Sequence, residues 1–186
     1  NSGAGTLDLT ACIASEPETI DPSVNSSVDG ATYIMHTFEG LMKYQQVGET
    51  DSEIVYGQAE SHEVSDDGLV YTFHLRDDIY WSDGVAVTAN DFVYGWQRLV
   101  DPETASDYCY IIDMVKNSTK IQAGELPVTE LGIVALDDKT VEITLESPCP
   151  YFMELGAFAS LMPLRQDIVE GNDSWTFDPA TYIGNG

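Results

Sequence analysis

Alternating apolar and polar residues mark one hairpin clearly. Along residues 69–76 the odd positions are apolar and the even positions are mostly polar, as in a strand with one buried face. The apolar face consists of Leu69, Tyr71, Phe73 and Leu75. Asp66-Asp67-Gly68 is a tight-turn sequence that separates this run from residues 60–64. The pattern therefore predicts a β-hairpin that packs one face against a core.

Two more segments alternate in the same way. Residues 132–136 and 140–146 flank Asp137-Asp138-Lys139, which predicts a second hairpin. Its core-facing residues would be Val141, Ile143 and Leu145. Near the amino terminus a further strand is predicted from Leu7, Leu9, Ala11 and Ile13.

Helical spacing appears in two places. Thr88 and Asp91 form a capping-box pattern ahead of an apolar stripe, which predicts a helix that ends at Asp101-Pro102. The stripe consists of Phe92, Val93, Trp96, Leu99 and Val100. A second helix is predicted to begin near Asp29, with Ile34, Phe38 and Leu41 at helical spacing. Strands and helices are mixed without regular βαβ alternation, so the predicted fold class is α+β, a mixed α/β arrangement.

The charge of the chain narrows the classes of partner. Its 186 residues include 32 acidic and 7 basic ones, for a formal net charge of −25. Such a surface repels nucleic-acid phosphates and anionic lipid, so no nucleic-acid partner is predicted. No apolar run is long enough to cross a bilayer.

No sequence pattern predicts a catalytic or metal centre. The three histidines lie on separate elements, and no HExxH, GxSxG, Walker-type or GxGxxG motif occurs. Paired carboxylates such as Asp66/Asp67 lie mostly at turns, where aspartate caps backbone amides. We therefore predict no catalytic residue, no metal ligand and no cofactor. The sequence leaves open whether Cys109 and Cys149 pair.

Long stretches resemble one protein family. Residues 67–84 read DGLVYTFHLRDDIYWSDG and residues 87–99 read VTANDFVYGWQRL. Together they resemble the peptide and nickel class of bacterial extracellular solute-binding proteins. DPETAS at residues 101–106 and ALDDKT at residues 135–140 are similar to the oligopeptide-binding branch. The resemblance covers nearly the whole chain from Leu7, but only about the first third of a family member.

The resemblance implies a periplasmic-binding-protein-like fold whose two lobes close on the ligand. Residues 1–38 and 164–186 would be part of the first lobe, and residues 39–163 would form the small inserted domain typical of the peptide-binding class. The chain would then hold only the small domain and part of one lobe. We expect such a fragment to fold around the small domain and to bind peptide weakly or not at all.

The resemblance also implies a ligand and its site. Relatives hold an extended oligopeptide between the lobes by pairing with its backbone. The matching positions are Asn25, Ser26, Ser27 and Val28, together with Tyr108. Relatives carry an acidic residue and a glycine where Ser26 and Ser27 stand. From the residues alone, the better interpretation is an ordinary Ser/Asn-rich connection before a helix that Ser27 or Asp29 caps, with Tyr108 as a packing aromatic.

The implied role is a non-catalytic, extracytoplasmic receptor that delivers oligopeptides to the permease subunits of an ABC transporter. We expect a monomer in the periplasm or, in a Gram-positive bacterium, on the cell surface as a lipoprotein. Membrane contact would come only through a lipid anchor upstream of Asn1. Three alternatives stay open: the same scaffold with a dipeptide, nickel chelate, haem or oligosaccharide; a peptide-pheromone receptor; and a carboxylate-dependent hydrolase.

Overall fold

The computed structural model describes Cys12 and residues 15–186, and the predicted strand around Leu7 to Ile13 lies outside these described residues. The strands are β1 (Met42–Val47), β2 (Asp51–Tyr56), β3 (Ala59–Val64), β4 (Val70–Leu75), β5 (Ile133–Asp137) and β6 (Thr140–Thr144). The α-helices are α1 (Val28–Thr37), α2 (Ala89–Val100), α3 (Ser118–Gln122), α4 (Phe152–Leu155) and α5 (Gln166–Val169). None of the described helices has the length and apolar character needed to cross a membrane.

Both predicted hairpins are confirmed, and they form one antiparallel sheet. The strand order is β3-β4-β6-β5, while β1 and β2 form a separate two-stranded hairpin. Phe73 of β4 lies opposite Val141 of β6, and both side chains are buried. Ile143 of the same strand is also buried, so the alternating residues do face a core. The mixed helix and sheet content confirms the predicted fold class.

Helix α2 covers this sheet, as its capping box and apolar stripe predicted. The Thr88 amide donates to the Asp91 carboxylate at 2.8 Å and fixes the start of the helix. Trp96 is fully buried and its indole N–H donates to the Leu161 carbonyl at 3.0 Å. Burial raises the pKa of Asp91 above its ordinary value, although the Thr88 and Trp81 hydrogen bonds oppose that rise.

The last part of the chain returns to pack on α1. Trp175 is buried, and the ring of Tyr182 stacks on it with centroids 5.7 Å apart. Tyr182 also meets Phe38 edge-on at 5.7 Å, and its hydroxyl lies 3.0 Å from the Thr37 hydroxyl. Burial raises the pKa of Tyr182 to about 12. The aromatic residues of this segment therefore close the core next to α1, whereas Phe177 stays exposed.

Asn185 joins two segments that are 146 residues apart in sequence. Its side chain accepts from the Glu39 amide at 3.0 Å and donates to the Glu39 carbonyl at 2.9 Å. The Gly186 amide donates to the Thr37 carbonyl at 3.2 Å. A Cβ at Gly184 would lie only 2.0 Å from the Thr37 carbonyl oxygen, so this close approach requires glycine.

The cysteines that the sequence left open are not bonded to each other. Cys149 is buried and Cys109 is half-buried, and neither forms a disulfide. No disulfide bond between Cys109 and Cys149 therefore stabilises the fold.

Candidate functional site

The loop before α1 is held by its own side chains. The Ser27 hydroxyl accepts from the Gly30 amide at 3.1 Å and so caps the helix. Asn25 is buried, and its amide donates to the Ser27 carbonyl at 3.0 Å. Its carbonyl oxygen accepts from the Ser27 hydroxyl at 3.1 Å and from the Ser27 amide at 3.3 Å. The polar atoms of both side chains are therefore occupied within the loop.

Gly30 allows Asn25 to lie this close to the helix. A Cβ at Gly30 would meet the Asn25 side-chain oxygen at 1.9 Å and the Thr19 carbonyl at 2.6 Å. Any larger residue would displace the buried amide, so the loop conformation depends on this glycine. The backbone between Thr19 and Gly30 is thus restricted to a conformation in which Gly30 lies close to Asn25 and Thr19.

Ser26 and Val28 face outward from this well-ordered loop. Val28 is 82% exposed at the start of the helix. Ser26 is exposed as well, and it makes no hydrogen bond to any residue that the structure describes. Its backbone amide and carbonyl can therefore serve an external partner.

A buried carboxylate fastens the same loop to the rest of the molecule. Asp21 receives two hydrogen bonds of 2.8 Å from the Arg98 guanidinium, in a bidentate ion pair. The Trp175 indole donates to Asp21 at 3.2 Å, and the Ser23 amide donates to it at 3.0 Å. One side chain thus connects the loop to α2 and to the segment that contains Trp175.

Tyr108 lies at the beginning of a short 3-10 turn, Cys109–Ile112. Its backbone amide donates to the Ser106 hydroxyl at 3.2 Å. Its ring packs between Tyr110, at a centroid distance of 5.9 Å, and Phe158, at 5.6 Å. The ring of Tyr108 therefore packs on two other aromatic rings and is partly buried, and its contact with a ligand stays a prediction.

A groove of about 680 Å³ lies beside the end of α2 and the segment that contains Trp175, and none of the predicted residues Asn25–Val28 and Tyr108 lines it. Val24, just before Asn25, lines one part of it, and Thr104, shortly before Tyr108, lines another. Its carboxylates are Asp21, Asp101, Glu103, Glu170 and Asp173, and the only cation among its lining residues is Arg98, already paired with Asp21. The lining is therefore acidic.

The structure shows no direct contact between Tyr108 and the loop before α1. Among the described residues, no hydrogen bond or ring contact joins Tyr108 to the segment from Asn25 to Val28. Nor do these residues include any group of three or more His, Cys, Asp or Glu side chains arranged to hold a metal ion.

Sequence reasoning missed the partners of these residues. None of Asp21, Tyr110 and Phe158 was among the predicted site residues. No short-range sequence pattern connects Asp21 with Arg98, because the two residues are 77 positions apart.

The sequence model for bacterial extracellular solute-binding proteins, family 5 Middle, matches residues 53–186. The periplasmic oligopeptide-binding protein OppA of Salmonella typhimurium is 42% identical over 175 residues, covering 92% of this chain and 31% of that protein. The probable deoxycholate-binding periplasmic protein YgiS of Escherichia coli is 40% identical and covers 92% of this chain and 32% of its own length.

A solved structure shares the fold. The substrate-binding domain of an oligopeptide ABC transporter from Bacillus anthracis aligns with a TM-score of 0.84 and 41% identity, over 90% of this chain and 32% of that one. The chain thus spans about a third of the length of the relatives that it matches.

Proposed function

The chain belongs to the bacterial extracellular solute-binding proteins of family 5, and from this membership we propose that it is the amino-terminal part of a receptor for oligopeptides. The receptor binds an extended peptide between two lobes and delivers it to the permease subunits of an ABC importer. The transport-driving chemistry belongs to a separate subunit, so this chain binds its ligand without catalysis.

The single observation that carries the proposal is the exposed residue Ser26, whose backbone makes no hydrogen bond to the residues that the structure describes. An extended peptide pairs through its main chain with such a segment, much as a strand adds to a sheet edge. The loop is held in advance by Asn25, Ser27 and Gly30, so little conformational entropy is lost when a ligand binds. Backbone pairing also admits many peptide sequences, which suits a nutrient receptor.

Side chains contribute less at this loop than the backbone does. Ser27 caps α1 and Asn25 is committed inside the loop, so neither has a polar atom free for a ligand. Val28 offers an apolar contact instead. Within the set Asn25, Ser26, Ser27, Val28 and Tyr108, we therefore propose that Ser26 and Val28 touch ligand and that Asn25 and Ser27 position them.

We further propose that residues 39–163 form a small domain and that residues 1–38 and 164–186 are part of the first lobe. Asn185 and Glu39 meet where these two parts join.

We propose that the protein works outside the cytoplasm, in the periplasm or at the cell surface. A receptor of this family that supplies an importer acts there. We propose that it acts as a monomer.

A second candidate ligand is a steroid carboxylate. A relative named as a probable deoxycholate-binding protein is 40% identical to this chain, nearly as similar as the oligopeptide-binding relative at 42%. Two relatives that are almost equally identical to this chain are thus named for different ligands, so the family scaffold supports more than one class of ligand. The acidic groove disfavours an anionic ligand near Val24 and Thr104, so the peptide remains the better candidate.

Native mass spectrometry of the full-length protein, purified gently from its host, tests the proposal. We expect a ladder of bound masses that match mixed short peptides. A single bound mass equal to a bile acid, haem, sugar or metal chelate would contradict the oligopeptide assignment while leaving the receptor class intact. A protein isolated without ligand would be titrated with a short-peptide library, and failure of every pool to bind would reject it.

A further inference from the structure

One asparagine of the chain is followed by a glycine. The pair is Asn185-Gly186, whereas the other asparagines precede serine or aspartate: Asn1, Asn25, Asn90, Asn117 and Asn172. Glycine has no Cβ, so its backbone nitrogen is sterically open and its backbone rotates freely. In a flexible chain, an asparagine before glycine is therefore the one whose side-chain amide is most readily attacked by the next backbone nitrogen.

The reaction that this pair allows is deamidation through a cyclic imide. The Gly186 backbone nitrogen bonds to the side-chain carbonyl carbon of Asn185, and the bond from that carbon to the amide nitrogen breaks. The amide nitrogen leaves as ammonia with the proton that Gly186 gives up. Water then opens the ring at either carbonyl, which yields aspartate or isoaspartate. The residue gains one negative charge at neutral pH, and solvent water is the only other reactant.

The junction between residues 37–39 and residues 184–186 occupies both reacting groups. The Asn185 side chain accepts from the Glu39 amide at 3.0 Å and donates to the Glu39 carbonyl at 2.9 Å. The Gly186 amide donates to the Thr37 carbonyl at 3.2 Å. Asn185 is only 9% exposed, so water has little access to it. These hydrogen bonds must break before the imide ring can form.

Neighbouring contacts leave the closed junction little room to move. The buried Gln58 side-chain amide donates to the Asn185 carbonyl at 3.3 Å and to the Glu39 carboxylate at 2.6 Å. A Cβ at Gly184 would lie 2.0 Å from the Thr37 carbonyl oxygen. Cyclisation therefore requires a local opening in which residues 184–186 separate from residues 37–39.

Deamidation removes a donor on which the junction depends. An oxygen would replace the amide nitrogen that lies 2.9 Å from the Glu39 carbonyl oxygen, so two acceptors would face each other. The new charge would add to that of the Glu39 carboxylate in the same junction, within a chain whose net charge is already −25. Isoaspartate also lengthens the backbone before Gly186, which displaces its amide from the Thr37 carbonyl.

We propose that Asn185 is a deamidation site that the closed junction protects, and that its conversion to aspartate or isoaspartate prevents the junction from closing again. Each opening of the junction gives the reaction a chance to occur, and the product does not revert to asparagine. The modified fraction therefore records how often this part of the chain has opened. The inference goes beyond the proposed receptor function and does not depend on peptide binding.

Peptide mapping by mass spectrometry tests the site. The full-length protein is incubated in mildly alkaline buffer and digested, and the fraction of Asn185 converted is followed with time. The reference is a synthetic peptide of residues 181–186 with an amidated carboxyl end, in which no junction exists. We expect the protein to react at least about tenfold more slowly than the peptide. Equal rates in the protein and the peptide would overturn the inference.

Glycine-to-alanine variants show whether the junction controls the rate. Gly184→Ala places a methyl group against the Thr37 carbonyl and should bring the rate to within about threefold of that of its own matched peptide. Gly132→Ala is the control, because its Cβ would lie 2.7 Å from the Thr144 carbonyl beside the sheet, and it should react as the wild type does. Equal acceleration in both variants would show that the chain reacts through general unfolding and would overturn the inference.

A milder variant covers the case in which Gly184→Ala does not fold. Gln58→Met keeps the length of the side chain but removes its hydrogen bonds to Asn185 and Glu39, which should raise the rate about two- to fivefold. Hydrogen exchange in β4 and β6 shows whether each variant keeps its core. A folded variant of either kind that reacts at the wild-type rate would overturn the inference.

The consequence of the modification is tested with Asn185→Asp, which carries the aspartate product from the start. Hydrogen exchange at the amides of Glu39 and Gly186 should be at least about threefold faster than in the wild type. Unchanged exchange at both amides would show that the junction closes over aspartate, which would overturn the claim that deamidation keeps it open.

Discussion

Two regions of the molecule are built in different ways. The sheet core, which consists of β3–β6 and α2, contains none of the buried polar residues of the described chain. The loop–tail region, residues 15–38 and 164–186, contains four of them: Asp21, Ser23, Asn25 and Asn185. Aromatic and aliphatic side chains such as Trp96 and Phe73 fill the first, whereas the second depends on specific hydrogen bonds.

The difference shows which interactions fix the structure of each region. Apolar burial is not directional, so a sheet core forms wherever the pattern of apolar residues matches the elements. A buried polar group must find a partner with correct geometry or it costs free energy. The loop–tail region, which holds the proposed ligand contacts, therefore has the more exact geometry and the greater sensitivity to single polar changes.

The largest effect is expected from Trp96→Ala in the sheet core. Removing this fully buried ring leaves a cavity and breaks the hydrogen bond to Leu161, which should lower the free energy of unfolding by about 3–5 kcal/mol. Urea unfolding of the 186-residue chain measures the change. The exposed Tyr80→Ala is the matched control and should change stability by less than about 0.5 kcal/mol. Equal losses in both variants would show that α2 is not central to the core.

The next largest effect is expected from Asp21→Ala in the loop–tail region. The change leaves the Arg98 guanidinium without its bidentate partner and the Trp175 indole without its acceptor, at a cost of about 3 kcal/mol. Asp78→Ala breaks an exposed ion pair with Arg76 and should cost less than about 1 kcal/mol. If the two aspartate variants unfold at the same urea concentration, polar contacts do not dominate this region.

A smaller and more local effect is expected from Asn185→Ala. The Glu39 amide and carbonyl would lose their side-chain partner, which should cost about 1–2 kcal/mol. Hydrogen exchange should speed up at the amides of Glu39 and Gly186, with protection in β4 and β6 unchanged. Asn90→Ala, on the exposed first turn of α2, serves as the control. Faster exchange throughout the sheet would mean that the two regions unfold as one unit.

The smallest effect is a change in alkaline stability at Tyr182. Burial raises the pKa of this phenol to about 12 in the folded chain, above about 10 in the unfolded chain. The folded state therefore holds its proton longer, and the stability that this contributes is lost as pH rises from about 10 through about 12. Tyr182→Phe should make urea stability less dependent on pH in that window, whereas the exposed Tyr80→Phe should not. Identical pH profiles for the wild type and Tyr182→Phe would show that burial does not raise the pKa of the Tyr182 phenol.

Local patterns were enough to predict much of the sheet core. The alternation through Phe73 and through Val141, and the capping box at Thr88, each act within a few residues, so the hairpins and α2 could be predicted without tertiary information. The strand boundaries shifted by only a residue or so, for example at Val70. The resemblance in residues 67–99 pointed to the family, which the match over residues 53–186 confirms.

The candidate site was less accessible to the same reasoning. The sequence allowed Ser27 to be either a helix cap or a ligand contact, and the observed bond to Gly30 assigns its hydroxyl to the cap. The exposure of Val28 and the unpaired backbone of Ser26 depend on which surfaces the rest of the chain covers. The residue types at positions 26 and 28 do not by themselves predict whether these positions are exposed.

By itself, the sequence determined the two hairpins of the sheet, the start of α2, the acidic character of the chain and the family, whereas the β1–β2 hairpin was not predicted. Only the tertiary structure decided that Asp21 pairs with Arg98, 77 residues away, and that Asn185 binds the backbone of Glu39. It also brought Phe158 onto Tyr108. The physical reason is range: helix and strand periodicity follows from neighbouring residues, whereas a buried polar or aromatic pair exists only after distant segments have packed together.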